Sequence, residues 1–518
     1  MKNEERKMKN DEWKPASGIL TVNPPSSFLA WLPFLWSRVL FPGRSAERTS
    51  MSRLRFALLL VIPGLLLYPA MAFHLFEPDE GRYAQLPSEM LERGEWIVPH
   101  LQGEPYLDKP PLVYWLVMCS YQVLGVSIWS ARLVPALAVH LAVLAIYLLG
   151  RRSLGERAAW WGALLLALTP GFLGMGRLLI LDGVLALWVT LSIFSAFEAC
   201  RGSRLHRGWW LLAAVCCGLG VLTKGPIAAL LLAPPLCLHL WLTKQGSWPG
   251  WRGWTLFAVV VALIALPWYI AVCLRTPFGH HFLWQHNVVR FLMPFDHGRP
   301  IWYYGPVLLL GLLPASALLI PFARFLGSGR DEIARQRSPE LGFMLLAGGW
   351  CVLFFSLSGS KLPTYILPAL PFLCLALGAF VASAGWDRSW LLRGSAAASF
   401  VLLAAASWVI VPEIADRRSP LHQSHLVVES CRDRTVPVVC YPRPVDSVAF
   451  HVGRSDFRHY RSKDTPALIR FLADNPRTVV LFSHRHSLQQ LREVLPAELV
   501  IATSGPLGLC DLAVVERR

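Results

Sequence analysis

The chain has 518 residues, 54% of them hydrophobic and only 16% charged, with a mean hydropathy of +0.44. That is too apolar for an ordinary soluble domain, and the opposite of the low-hydrophobicity, high-charge composition of a disordered chain. The net charge of +16 (49 Lys and Arg against 33 Asp and Glu) does not argue for nucleic acid, because in a chain with long apolar runs basic residues mark cytoplasmic loops.

Residues 1–50 are polar and basic (Lys2, Arg6, Lys7, Lys9, Lys14) and read as a cytoplasmic extension. Their aromatic stretch Phe28 to Phe41 contains Pro33 and Arg38. It is shorter than the ~20 residues of a span and reads as an interfacial helix. Met51 opens directly onto an apolar run and is an alternative start. The run from Leu54 to Phe73 has no small-residue cleavage motif, so it is expected to be an uncleaved first span. Further apolar runs lie near 129–150, 156–173, 179–199, 208–223, 226–242, 254–274, 302–323, 341–357, 363–383 and 390–411. The expectation is an all-α polytopic membrane protein with about 11–13 spans over 51–411. Residues 111–124 form a shorter apolar stretch, read as a helix lying on the membrane.

With the N-terminus placed in the cytoplasm, alternation sends one basic cluster after another inward: Arg151, Arg152 and Arg157; Arg201, Arg204 and Arg207; Lys244 and Arg252; Arg324, Arg330, Arg335 and Arg337; Arg388 and Arg393. The first outer loop, about 74–128, is acidic instead. The segment 412–518 falls outside and alternates β-rich runs (Val436 to Tyr441, Thr478 to Phe482, Leu499 to Thr503, Leu512 to Val515) with helical patterns (Pro466 to Asp474, Ser487 to Val494). This predicts a small extracytoplasmic α/β domain with a mostly parallel sheet. The eleven cysteines show no zinc-type pairing, and a disulfide among Cys431, Cys440 and Cys510 is left open.

Polar chemistry gathers in the outer loops. Directly after the first span comes Phe76-Glu77-Pro78-Asp79-Glu80-Gly81-Arg82-Tyr83, where Pro78 favours a helix starting at Asp79. The bland alternative is that Asp79 and Glu80 merely cap that helix. The loop continues Tyr106-Leu107-Asp108-Lys109-Pro110-Pro111, holding Lys109 on a stiff backbone as a point charge for a phosphate, or as half of a structural ion pair. Asp182 lies beyond Arg177 at the next outer turn, where an Arg177–Asp182 pair is the plain reading, and Lys224 sits at a Gly-Pro break. Between later spans come His280, His281, His286 and Arg290, then Asp296 and His297; Lys361 and Tyr365 follow four apart. Histidines and carboxylates on one side suggest a metal, though the spacing is no zinc signature. Lys109, Lys224, Arg290, Lys361 and Tyr365 on the same leaflet as Asp79 fit a lipid-phosphate substrate and a proton acceptor.

Glu77-Pro-Asp-Glu-Gly-Arg-Tyr83, Asp108-Lys-Pro110, Leu181-Asp182, Leu222-Thr-Lys-Gly-Pro226, His286 to Phe291, Trp302-Tyr-Tyr304 and Lys361-Leu-Pro-Thr-Tyr-Ile-Leu-Pro368 occur in this order. In them the chain resembles the GT-C polytopic glycosyltransferases, in the branch of the lipid A 4-amino-4-deoxy-L-arabinose transferases and the protein O-mannosyltransferases. The resemblance implies an inverting transferase in a bacterial inner membrane. Its donor would be a polyprenyl-phosphate sugar, and its acceptor lipid A, another glycan or a protein on the periplasmic side. It also implies that Asp79 is the catalytic carboxylate and that Asp182 lines the cavity. Lys109, Arg290 and Tyr365 would hold the lipid phosphate, with Glu80, Arg82, Tyr83, Lys224 and Lys361 as further substrate contacts. No cofactor is obligatory, but relatives bind a divalent metal such as zinc through an acid at position 108 and a histidine near 286. Here the acid is Asp108, a methylene shorter than the usual Glu. The competing expectation, a lipid or sugar transporter or flippase, needs ionisable groups near midmembrane, whereas these sit at the outer edge.

Overall fold

A computed structural model describes residues 52–518 except 294–295, 423 and 508–509. The expectations for the N-terminal extension and for Met51 lie outside these residues. All eleven apolar runs form helices. Ile128–Leu154 shows how the sequence specifies one. Ser127 and Ser130 close a capping box at its start, and Arg151 and Arg152 in its last turn complement the helix dipole. Its 27 residues make a rod of about 40 Å, enough to cross a bilayer.

Among the described residues, six helices are long and apolar enough to span, and two further pairs qualify if each bent pair counts as one. The bent pairs are Glu156–Ala167 with Pro170–Gly176 (60°) and Ile301–Gly311 with Ala315–Gly327 (109°). Three more apolar helices, Arg53–Leu67, Arg207–Lys224 and Ile227–Thr243, fall short of that standard. The polytopic helical class stands, but hydropathy counted as full spans several segments that are short or broken. Leu181–Cys200 and Pro363–Ser383 sit at the centre of the bundle, Gly250–Arg275 and Trp390–Arg418 at its rim. Central packing depends on small residues: a Cβ on Gly378 would lie 2.3 Å from the backbone nitrogen of Gly162, so two helices touch there backbone to backbone.

Ion pairs gather the basic loops at one end. Arg55 pairs with Glu156, Arg157 with Asp387 (3.3 Å), and Arg201 with both Glu198 (3.3 Å) and Glu340 (3.4 Å). The helix Leu112–Leu124 packs beneath Asp79–Arg93, its Tyr121 hydroxyl donating to the Ala84 carbonyl (3.1 Å).

The last long helix continues to Arg418, a turn or two past the expected boundary at 412. Beyond it the chain forms a five-stranded sheet in the order Arg458–His459, Val438–Tyr441, Arg477–Phe482, Cys510–Arg517, Leu499–Leu507. The first three strands are parallel and the last two pair antiparallel, so the sheet is mixed rather than mostly parallel. Leu507 pairs with Cys510, and the two residues between them are too few for the crossover that a parallel pair requires. Both faces of Val438–Tyr441 are buried, with Val438 and Cys440 in one core and Val439 and Tyr441 in the other. The helices Ser424–Cys431 and Asp446–Val452 were not foreseen. All eleven cysteines are free thiols; Cys431, Cys440 and Cys510 share one apolar core without bonding.

Candidate active site

The acidic loop motif forms the helix Asp79–Arg93, with Asp79 and Glu80 in its first turn. Adjacent helical residues point about 100° apart, and here that separates two fates. Glu80 turns inward and is 2% exposed. Its carboxylate takes Arg132 Nε (2.8 Å) and Nη2 (2.7 Å), the Leu179 amide (2.7 Å) and the Phe76 amide (3.0 Å). Arg132, wholly buried, also donates to the carbonyls of Met71, Phe73 and His74 and lies 3.6 Å over the Phe73 ring. Glu80 is therefore an anchor of the loop, not the substrate contact expected. Tyr83 is likewise buried, packed on Tyr114 with ring centroids 6.2 Å apart, and offers little surface to a ligand.

Asp79 faces outward, its side chain 56% exposed, with Arg82 Nη1 3.7 Å from Oδ1. Arg82 is half-buried and lies 5.7 Å over the Tyr106 ring. Burial opposes its charge, but Tyr106, Tyr83, Asp446 and Asp79 around it more than compensate and raise its pKa.

A second group is drawn from several segments far apart in the chain. Lys224 Nζ sits 2.5 Å from Asp182 Oδ1 and 4.3 Å above the Tyr365 ring. Asp182 stands in the first turn of Leu181–Cys200, where the helix dipole favours a carboxylate. Lys109 donates to the Asp108 carbonyl (2.9 Å). Burial lowers its pKa to about 8; the nearby positive charges of Lys224 and Arg290 push the same way, and Asp108 and Asp182 push back. Arg290 Nε is 2.9 Å from Asp296 Oδ1, which also accepts from the Ser360 hydroxyl (3.3 Å). The structure thus brings together Lys109, Lys224, Arg290, Tyr365, Asp182 and Asp108, with Asp79 joined to them through Arg82 and Tyr106.

Two expected residues go elsewhere. Lys361 is 4% exposed, and its ammonium is turned onto the carbonyls of Arg299 (3.0 Å) and Ser358, so it braces the loop rather than meeting a ligand. Arg177 does not pair with Asp182. It is buried and donates to the carbonyls of Ser407 (2.6 Å), Pro69 (2.9 Å) and Ala70 (3.0 Å). Sequence reasoning missed Tyr106 and Tyr304. The Tyr304 hydroxyl donates to the Leu362 carbonyl (3.1 Å), fixing the turn that carries Tyr365; the Tyr-Tyr pair at 303–304 was its only signal.

For a metal, the observed donors are Asp108 and His281, whose Nε2 is 3.0 Å from Asp108 Oδ1. The His286 side chain lies outside the described residues. Among the described residues no three His, Cys, Asp or Glu side chains converge to hold an ion. The pairing is thus with His281, and two ligands fall short of the usual protein set.

An apolar cavity of ≈ 650 Å³ begins at Val221 and Pro226, either side of Lys224, and is lined further by Trp254, Phe257, Tyr269 and Leu283. Its wall is almost wholly hydrocarbon, and of the cations Lys224 is the one whose sequence neighbours line it.

Residues 51–283 match the dolichyl-phosphate-mannose-protein mannosyltransferase family. The undecaprenyl phosphate-α-4-amino-4-deoxy-L-arabinose arabinosyl transferase 1 of Pseudomonas fluorescens (strain Pf0-1) is 36% identical over 334 residues, covering 61% of this chain and 57% of that one. The corresponding transferase of Edwardsiella ictaluri is 33% identical over 354 residues, covering 65% and 62%. The chain therefore spans less than two thirds of the length of these curated relatives. The crystal structure of ArnT from Cupriavidus metallidurans bound to undecaprenyl phosphate superposes with a TM-score of 0.74 at 19% identity, covering 89% of this chain and 97% of that one. The chain has the GT-C fold of that structure and is related in sequence to the aminoarabinose transferases and the protein O-mannosyltransferases.

Proposed function

We propose that this multi-pass membrane protein is a glycosyltransferase. It moves a sugar from a polyprenyl-phosphate donor to an anionic glycolipid such as lipid A, or to another glycan or protein. The observation that carries the reading is the cation group Lys109, Lys224 and Arg290 gathered around Asp182, with Lys224 on the turn whose neighbours Val221 and Pro226 line an apolar cavity. A phosphate headed by cations and tailed by hydrocarbon is the ligand such a site complements. The relatives named for undecaprenyl-phosphate sugars support the donor class. The arginine-rich loops, tied together at one end of the bundle, support a cytoplasmic placement of that end, with the site and the C-terminal domain on the periplasmic face of the inner membrane.

In this mechanism an acceptor oxygen attacks the anomeric carbon while the bond to the phosphate oxygen breaks, with inversion. The charge that grows on the leaving oxygen is met by Lys109 and Arg290, preorganised in a partly desolvated site. When the acceptor is a hydroxyl, its proton passes to Asp79, a general-base contribution of about 10²–10⁴-fold. When it is a phosphate, no proton moves and Asp79 orients the attack. No step requires a metal; a divalent cation, if held at Asp108 and His281, would supply further stabilisation of phosphate charge. The test is transfer from a synthetic polyprenyl-phosphate sugar by purified protein in lipid. Asp79→Asn abolishes transfer while the protein remains folded; full activity in that variant refutes the assignment.

A further inference from the structure

The C-terminal domain is wound about its middle parallel strand. From Val438–Tyr441 the chain passes through the helix Asp446–Val452 to the edge strand Arg458–His459. It then crosses through Thr465–Asp474 to Arg477–Phe482 on the other side. The two connecting helices cover opposite faces, Val448 and Ala449 entering one core and Leu468 and Leu472 the other. Where an open sheet reverses in this way, the loops beyond the carboxyl ends of the strands diverge, and that is where such sheets take their ligands. The carboxyl ends are drawn together here. The Tyr460 amide donates to the Cys440 carbonyl (3.1 Å), the Ser483 amide to the Tyr441 carbonyl (3.0 Å), and His459 Nε2 lies 3.1 Å from the Pro442 carbonyl oxygen.

The side chains that project from these ends are cationic. Arg443 follows the middle strand, and Arg461 and Lys463 follow the edge strand. All three are exposed, and none has a carboxylate within ion-pair distance among the described residues. The acids at the same edge do not offset them: Asp446 and Asp511 are buried, and Asp464 accepts from the Arg461 amide (3.4 Å). Elsewhere in the domain, Arg454 and Arg477 pair with Asp456 (2.7 Å) and Glu516 (3.5 Å). A further donor is left over at the end of the third strand, where Ser483 Oγ is covered and has no hydrogen-bond partner among the described residues.

This edge lies at the Asp79 end of the helix Asp79–Arg93. The Ser447 amide donates to Glu77 Oε1 (2.6 Å), and Gln85 Nε2 donates to the Arg454 carbonyl (2.8 Å). The helix Asp446–Val452 therefore starts beside Glu77 and runs toward Gln85. The strand that follows starts from the far end, where the Phe457 amide donates to Gln102 Oε1 (3.1 Å) and the Gln102 amide to Glu89 (2.8 Å), and it runs back. A Cβ at Gly81 would lie 2.6 Å from the Ser447 nitrogen, so the contact is as close as a backbone allows. Asp79, two residues before Gly81, keeps its side chain exposed at this same end.

We propose that Arg443, Arg461 and Lys463 form the binding site for an acceptor phosphate, holding the headgroup of a phosphorylated glycolipid beside Asp79. The inference rests on the function proposed above and deepens it by naming the acceptor's chemistry. The donor phosphate already has Lys109, Lys224 and Arg290. A second cationic group, on a different domain but at the end of the helix that presents Asp79, complements a second anion. A neutral glycan or a protein hydroxyl would give these cations nothing to meet.

The experiment uses the full-length protein in phosphatidylcholine vesicles, with a synthetic polyprenyl-phosphate sugar as donor and bisphosphorylated or monophosphorylated lipid A as acceptor. The parent should favour the bisphosphorylated acceptor, and its acceptor KM should rise with salt. The triple variant Arg443→Gln, Arg461→Gln, Lys463→Gln should raise the acceptor KM about 10-fold, the scale of charge-assisted bonds at an exposed site. It should lose the preference for the second phosphate and most of the salt dependence, with kcat and the donor KM within about two-fold of the parent. Arg477→Gln, which removes a cation from the opposite edge of the sheet, should leave the acceptor KM unchanged. If the triple variant does not fold, Arg461→Gln alone carries the same expectation at about 3-fold. A triple variant with the parental acceptor KM overturns the inference, as does an equal rise in Arg477→Gln. A rise seen only when the vesicles contain phosphatidylglycerol also overturns it, since the edge would then be meeting the bilayer surface. If the parent transfers no sugar, the proposed function fails and the acceptor site falls with it; if the parent transfers to lipid A and the triple variant matches it, only the acceptor site fails.

Discussion

Replacing Glu80 separates an anchor from a ligand contact. In Glu80→Ala the wholly buried Arg132 loses its only carboxylate partner among the described residues. Its remaining acceptors are neutral carbonyls. Breaking a buried pair by removing one partner costs about 3–5 kcal/mol, because the charge left behind is uncompensated. The amides of Leu179 and Phe76 also lose their acceptor. Glu80→Gln is milder: the amide oxygen still accepts, but the charge and one acceptor are lost, so the cost should fall at or below the low end of that range. Thermal unfolding of the purified protein in detergent, read beside the yield of folded protein and the donor KM, distinguishes the two cases. Both variants should melt lower in that order, and the folded fraction of Glu80→Gln should keep the donor KM of the parent. A Glu80→Gln protein that melts like the parent but needs at least 10-fold more donor would refute the reasoning, since the carboxylate would then be meeting substrate.

Lys109 gives a pH dependence with a definite sign. Its pKa lies at about 8, so its charge is present below that value and lost above it. The donor KM should rise as pH passes through 8, and Lys109→Arg, which stays charged, should flatten that rise. In Lys224→Met, Asp182 is left without its counter-ion and the phosphate without a donor; a charge-assisted hydrogen bond of about 1.5–3 kcal/mol predicts a 10–100-fold loss of kcat/KM. For Gly81→Ala, the added methyl would meet the Ser447 amide, so limited proteolysis should release the C-terminal domain faster. The same contact should loosen in alkali. Glu77 and Asp446 have raised pKa values when docked, so docking is strongest at low pH and weakens as pH climbs from the ordinary carboxylate range through those raised values. Glu77→Gln, which cannot ionise, should remove most of that dependence in the same proteolysis assay.

Much of the fold was legible because bilayer crossing and strand alternation leave periodic marks. The eleven apolar runs became helices, and the four β-rich runs became strands. Span lengths were less legible, since hydropathy averages across a 60° or 109° bend that only packing reveals. The short strand Arg458–His459 and the helix Asp446–Val452 carry too little pattern to register alone. Within the site, residue type and sidedness were enough to gather Lys109, Lys224, Arg290 and Tyr365, whereas Asp182 entered only through the family resemblance. What sequence lacks is direction. Asp79 and Glu80 are adjacent and chemically alike, yet one meets solvent and the other Arg132, more than fifty positions away. Lys361 looked like a free cation and Arg177 like a partner of Asp182, yet both serve backbone carbonyls, acceptors that no motif displays. The Glu77–Ser447 contact joins residues 370 apart and left no local trace.

The Lys224–Asp182 contact gives any anion at this site a built-in competitor. Before any phosphate arrives, Lys224 is already held by a carboxylate and rests over the face of Tyr365. An incoming anion must draw it away or share it, so part of the attraction is cancelled before binding begins. After the sugar has left, the same carboxylate stands ready to take the ammonium back. A spent carrier, charged on the oxygen that once bore the sugar, would grip an unopposed lysine too firmly to turn over. In the proposed reaction, Asp182 beside it would let the site exchange one anion for another, so that the carrier leaves by competition from within.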